Sequence, residues 1–146
     1  TFGRAVCLTP DLVIIDRARA ALLIQLLLRA LAVLPALALV NATEAMPQGG
    51  LLTVSAENVK NKGDVPGLRN GKYVKISIID QGKGIPKKNL DRIFNPYFST
   101  KQMGDKKGTG LGLSICHSII KKHGGNVTVE STLGEGSVFT IHLPEK

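Results

Sequence analysis

The sequence predicts a two-layer α/β sandwich, with helices on one face of a mainly antiparallel mixed sheet. Three observations point there: two alternating segments before residue 81, a helical period from Leu111 to His123 stopped by Gly124 and Gly125, and two alternating segments that close the chain. The predicted order is helix, two strands, helix, two strands. Any ligand would sit between the layers.

Each element has its own signal. Residues 18–40, "ARAALLIQLLLRALAVLPALALV", are apolar and long enough to suggest a membrane span. Gln25 and Arg29 near the middle and Pro35 favour a buried, kinked core helix instead. After the turn signal "MPQGG", "LLTVSAENV" alternates as a strand does. "NKGDVPGLRNG" is a loop by composition, and "KYVKISIID" alternates again, with Val74, Ile76 and Ile78 opposite Lys75 and Ser77. These two strands read as an antiparallel pair. "NLDRIF" predicts a short helix, and residues 95–109 carry no periodicity. In "LGLSICHSIIKKH", Leu113, Ile115, Ile119 and Ile120 are expected largely on one face. "NVTVES" and "SVFTIHLP" form a hairpin across "TLGEG", and no internal repeat is visible.

A chain of 146 residues suits one domain with a real core, so residues 1–146 are expected to form one. Nineteen basic against eleven acidic side chains leave a formal charge of +8. Between Asn58 and His123 fourteen Lys or Arg face four Asp or Glu, which reads either as a solvated basic face or as a site for an anionic ligand. Nucleic acid is not expected, since neither stacking aromatics nor a binding motif accompanies the charge. Cys7 and Cys116 form no CxxC pair, so neither a disulfide framework nor a zinc site is indicated, and a reducing compartment suits them. His117, His123 and His142 lack metal-ligand spacing and read as surface residues of helix or strand. No signal peptide is indicated.

The chemistry concentrates in residues 78–115. Asp80 ends an apolar strand just before a turn, so its carboxylate emerges at the rim of the core and needs a donor. Gly82 and Gly84 permit φ above zero and present no Cβ, so a flat ligand can approach the backbone; "DxGxG" taken alone also reads as a plain turn. In "GTGLGLS", Gly108, Gly110 and Gly112 let backbone N–H groups converge on an anion, and the helix starting near Leu111 adds its positive end. No Lys-Ser or Lys-Thr follows as in a P-loop, no GxGxxG follows a strand, and protein-kinase HRD and DFG motifs are missing. Asn41, in "LVNATEAM", reads as a buried structural amide or as a ligand to a hard cation such as Mg²⁺.

These motifs resemble those of a known family. "NATEA" is similar to the N box, "DQGKGI" to the first glycine box, "IFNPYFSTK" to the F box and "GTGLGLS" to the second glycine box of the catalytic, ATP-binding domain of sensor histidine kinases. "HGGNVTVESTLGEGSVFTIHLP" looks like the closing hairpin of the same domain, and the short lid between Phe98 and Gly108 is similar to that of nitrogen-regulation kinases. The likeness covers roughly residues 39–144, while residues 1–38 match poorly. It implies the Bergerat ATP-binding fold of the GHKL superfamily. It further implies that Asp80 accepts the adenine amino group, with Gly82, Gly84 and Ile85 lining the base, and that Asn41 holds Mg²⁺ at the phosphates. Gly108, Thr109, Gly110, Leu111 and Gly112 would wrap the phosphates, Lys101 would contact them, and residues 99–109 would form a mobile lid. Phe94 and Phe98 would pack the lid base rather than touch nucleotide.

Two departures shape the expected function. Leu37 stands one helical turn before Asn41, where the family carries a second Asn or an acidic residue. None of the three histidines is followed by Glu or Asp, as the phosphoaccepting histidine of such kinases is. The resemblance therefore implies the catalytic domain of a two-component histidine kinase, cytoplasmic and with little turnover alone. It would bind Mg·ATP and donate the γ-phosphoryl group to a histidine on a separate dimerisation and phosphotransfer domain, with a response regulator downstream. The alternative is a nucleotide-binding regulatory module of the same fold without transfer activity; an anti-sigma-type serine kinase or an ATPase clamp fits less well.

Overall fold

The computed structural model describes residues 5–8, 11–15, 41, 45, 46, 48–100 and 110–145. Among them are six strands and two helices: β1 (Ala5–Leu8), β2 (Asp11–Ile15), β3 (Leu51–Asn61), β4 (Gly71–Asp80), α1 (Lys87–Leu90), α2 (Gly112–Lys122), β5 (Asn126–Thr132) and β6 (Gly136–Pro144). One sheet takes the order β1-β2-β3-β4-β6-β5. Only the β2–β3 pair is parallel, so the sheet is mixed and mainly antiparallel, as expected. The apolar segment 18–40 lies outside the described residues. Among those described, no helix is long and apolar enough to cross a membrane.

Strands β3 and β4 pair from Leu52↔Asp80 to Asn61↔Gly71. This register puts Leu52, Ala56, Val74, Ile76 and Ile78 on one face, where they join Ile141 and Leu143 of β6, Val127 of β5, and Cys116 and Ile120 of α2. Leu52, Ile78 and Ile120 are the largest fully buried side chains. Removing each from water contributes about 1.5–3 kcal/mol.

Four sequence expectations need correction. Strands β1 and β2 were not expected: "LVII" of β2 is a short continuous apolar run whose period does not separate strand from helix. The short helix covers Lys87–Leu90 rather than "NLDRIF", and Asp91–Phe94 turn away from it. On α2 the buried residues are Ser114, Cys116 and Ile120, with Ile119 packed partly buried against the core, whereas Ile115 is 44% exposed because it falls off the stripe that Cys116 and Ile120 define. Finally, His142 is buried rather than superficial.

The cause of that last burial is the loop after β3, which folds over the sheet face opposite the helices. Asn61 organises it, accepting the Val65 N–H at 3.1 Å and donating to the Leu68 and Arg69 carbonyls at 3.3 and 3.0 Å. Tyr73 Oη donates to Arg69 at 3.1 Å and Asn126 Nδ2 to Pro66 at 3.4 Å. His142 pairs in register with Lys75 and Asn126 on this face. Its Nδ1 is buried with no hydrogen-bond partner among the described residues. Burial, reinforced by Lys75, lowers its pKa below the ordinary 6.5. A depressed base contributes stability that is fully present above its unfolded value and is lost as pH falls through the folded one. The thermal midpoint should therefore decline on acidification below pH 6.5. Replacing His142 with Leu should flatten that decline, which scanning calorimetry at successive pH values would measure.

Candidate functional site

A cleft of about 620 Å³ opens between the helical layer and the sheet. Its floor is the end of β4 and the start of β6, with Asp80, Ser137 and Phe139. Asn41 and Ala45, both helical, line one side, and the turn after β4 supplies Lys83, Gly84 and Ile85. Lys88, Asn89 and Ile93 continue that wall, and Phe98, Ser99, Thr100, Gly110, Gly112 and Leu113 close the remaining side.

Asp80 is the most constrained group. It continues the inward-facing series Val74, Ile76, Ile78, so the alternation of β4 delivers a carboxylate into the apolar layer, where it is 4% exposed. Its Oδ1 accepts the Gly82 N–H at 2.8 Å. Burial raises its pKa above the ordinary carboxylate value, opposed by the Gly82 and Ser137 backbone N–H groups.

The glycines of this turn serve contacts with protein. Of the two, only Gly84 has positive φ, at +70°. A Cβ on Gly82 would come within 2.7 Å of the Ala45 Cβ. On Gly84 it would overlap the Thr132 carbonyl. The turn is thus clamped: Lys83 N–H donates to Ala45 at 3.3 Å, Gly134 N–H to Lys83 at 2.8 Å, and Ile85 N–H to the Ser131 hydroxyl at 2.7 Å.

Gly110 has φ +69° and lies against the Tyr97 and Phe98 backbone, where a Cβ would come within 2.6 Å of the Tyr97 carbonyl carbon. Leu111 is the N-cap of α2, and among the described residues no side chain caps the helix start. Lys121 and Lys122 lie in its last turn and no acidic residue in its first, so no carboxylate of the helix itself neutralises the positive end, where Gly112 and Leu113 line the cleft. Leu111 itself does not line the cleft; its carbonyl accepts Ser114 Oγ–H at 2.9 Å and Ile115 N–H at 2.9 Å. Phe94 packs against the core and stacks on His117 with ring centres 5.1 Å apart. Phe98 forms part of the cleft wall, with Arg92 4.9 Å over its ring.

Of the residues expected at the site, Asn41, Asp80, Gly84, Ile85, Gly110 and Gly112 line one cleft, with Gly82 buried directly behind. Lys101, Gly108 and Thr109 lie outside the described residues, as does most of the expected lid. Sequence reasoning missed Lys83, Lys88, Asn89, Ser137 and Phe139. Lys83 and Lys88 were visible only as charge, and Asn89 was absorbed into a helix. Ser137 carried a signal of its own: it is a polar residue in phase with Phe139 and Ile141 on an inward-facing strand. No cluster of three or more His, Cys, Asp or Glu suited to a metal occurs among the described residues.

A mixed sheet covered by helices on one face, with a buried carboxylate and an uncapped helix start meeting in the cleft between, defines an α/β sandwich built around an interlayer ligand site. Comparison with known proteins names the family. The model of the histidine kinase-, DNA gyrase B- and HSP90-like ATPases matches residues 30–146, and the chain belongs to that family. It is 44% identical over 104 residues to the sensor histidine kinase ZraS of Escherichia coli K12, covering 71% of this chain and 19% of that protein. It is 42% identical over 106 residues to sporulation kinase C of Bacillus subtilis, covering 73% and 21%. Among solved structures, a mycobacterial sensor histidine kinase, MprB, superposes with a TM-score of 0.57 at 29% identity, over 74% of this chain and 65% of that one. Full-length ShkA in complex with AMPPNP gives a TM-score of 0.53 at 28% identity, over 74% and 20%. The chain thus spans about a fifth of the curated relatives it matches.

Gly84→Ala is expected to destabilise the chain by about 1–3 kcal/mol, since it adds left-handed strain to a steric overlap. Denaturant unfolding would measure this. Gly134→Ala, at a site with nothing within 4 Å, should cost less despite its φ of +84°.

Proposed function

We propose that this chain is the catalytic, ATP-binding part of a two-component sensor histidine kinase. It holds Mg·ATP in the interlayer cleft and donates the γ-phosphoryl group to a histidine on a separate dimerisation domain. The observation that carries this reading is the pairing, in one cleft, of the buried Asp80 carboxylate with the uncapped start of α2. The first is an acceptor for the amino group of adenine, with Gly84 and Ile85 against the base. The second is a backbone cradle for phosphate, with Gly110 and Gly112 at its mouth and Lys83 and Lys88 on the facing wall. Lys101, Gly108 and Thr109 complete the phosphate side in this reading.

Asn41 lines the same cleft and offers a neutral amide oxygen, which suits Mg²⁺, a cation that keeps several waters and takes few protein ligands. When bound, Mg²⁺ neutralises charge on the phosphate oxygens. The chain's own groups position the nucleotide, stabilise its charge and exclude water from the base. In the transfer, the bond from the γ-phosphorus to the β–γ bridging oxygen breaks as a bond to an imidazole nitrogen of the acceptor histidine forms, and ADP leaves. A response regulator takes the group next. The finer relation to nitrogen-regulation kinases belongs to the same proposal.

Two measurements test this reading. Asp80→Asn should weaken adenine-nucleotide binding by roughly tenfold or more in calorimetric titration, as loss of a hydrogen bond to a charged group does. It should leave the thermal midpoint at neutral pH unchanged or higher. The raised pKa means that Asp80 contributes stability only below its unfolded value and loses it as pH rises through the folded one, so the buried charge is a cost at neutrality. Mixing the chain with a matching dimerisation domain and labelled ATP should yield phosphohistidine. Binding without phosphohistidine would establish the non-transferring module instead.

A further inference from the structure

Three neighbouring strands end their inward-facing series with a polar residue at the same edge of the core. Asp80 ends β4, Ser137 begins β6 opposite it, and Ser131 on β5 faces Ser137 in turn. Asp80 and Ser137 line the cleft, and Ser131 is not among the lining residues. Ser137 is 5% exposed.

The Ser131 hydroxyl has three partners. It accepts the Ile85 N–H at 2.7 Å, donates to the Gly136 carbonyl at 2.8 Å, and lies 2.9 Å from Ser137 Oγ. A hydroxyl has one proton and two lone pairs. With the proton committed to Gly136 and one lone pair to Ile85, Ser131 can meet Ser137 only as an acceptor. Ser137 must then supply the proton between them, and its oxygen keeps only lone pairs for the cleft.

We propose that Ser131 is a specificity-positioning residue. By fixing the direction of the Ser137 proton, it leaves two acceptors on the cleft floor, the Asp80 carboxylate and the Ser137 oxygen, which together accept a ligand's ring amino group and reject a carbonyl oxygen there. The inference rests on the nucleotide reading above and refines it to a 6-aminopurine over a 6-oxopurine. Without Ser131, the Ser137 hydroxyl rotates freely, can donate to a carbonyl, and discriminates less.

The test is titration of the purified chain with Mg·ATP and with Mg·inosine triphosphate, which differ only in the 6-substituent of the base. The wild-type chain should prefer ATP. Ser131→Ala should weaken ATP binding roughly threefold to tenfold, the loss of one oriented hydrogen bond, without weakening inosine triphosphate, so that the preference narrows. Ser131→Thr keeps the hydroxyl and should restore the preference. Ser137→Ala, which retains the bonds of Ser131 to Ile85 and Gly136, should narrow it as Ser131→Ala does and serves where that variant does not fold. An equal loss for both nucleotides, or an unchanged preference in Ser131→Ala or Ser137→Ala, overturns the inference while leaving the ATP site intact. A wild-type chain with no preference overturns it together with the reading of the base pocket.

Discussion

A carboxylate inside an apolar layer is the constraint from which the rest of the site follows. Asp80 occupies the position where the alternation of β4 would otherwise place another isoleucine. Desolvating its charge there is unfavourable, and its raised pKa expresses that cost. Two backbone N–H groups, of Gly82 and Ser137, make the ionised form tolerable. The Gly82 N–H reaches Oδ1 because the chain turns immediately after the strand, and Ser137 is available because β6 pairs with β4 in register at this point. Strand end, turn and hairpin are therefore fixed together.

The turn shows how tightly. Its glycines allow protein to approach protein, Ala45 on one side and Thr132 on the other. Residues 82–85 thus bridge the helical Ala45 to the closing hairpin. Gly136 repeats the logic, since a Cβ there would overlap the Asp80 carbonyl. On the proposed reading, a base pocket against so closely packed a turn lets hydrogen-bond direction, and not only shape, select the ligand.

Much of this was legible in the sequence. The periods of β3, β4, α2 and the closing hairpin predicted the two layers, because each element buries one face and the alternation records which. Asp80, Gly84, Gly110 and Gly112 were recognisable because a carboxylate after an apolar strand and glycines before a helix are locally unusual. Other features depend on register. Nothing local says that Ser131, Ser137 and Asp80 meet, since their adjacency is a property of strand pairing across dozens of residues. A polar residue ending an inward-facing series was a readable signal on each strand, but its meaning comes only from the three together. The burial of His142 was equally hidden, because the loop that covers it is remote in sequence.

The histidines decide how such a site can act. All three are described, and none lines the cleft. His117 stacks on Phe94, His123 Nδ1 lies 2.8 Å from the Ile119 carbonyl at the far end of α2, and His142 sits on the opposite face of the sheet beside Lys75. In this arrangement none of the three imidazoles is among the residues that would meet a ligand held in the cleft. On the proposed reading, the start of α2 and the lysines of the facing wall mark the phosphate end of the cleft, the end from which an acceptor would approach. On the proposed reading, a histidine that receives the phosphoryl group is therefore one brought to the cleft from outside these elements.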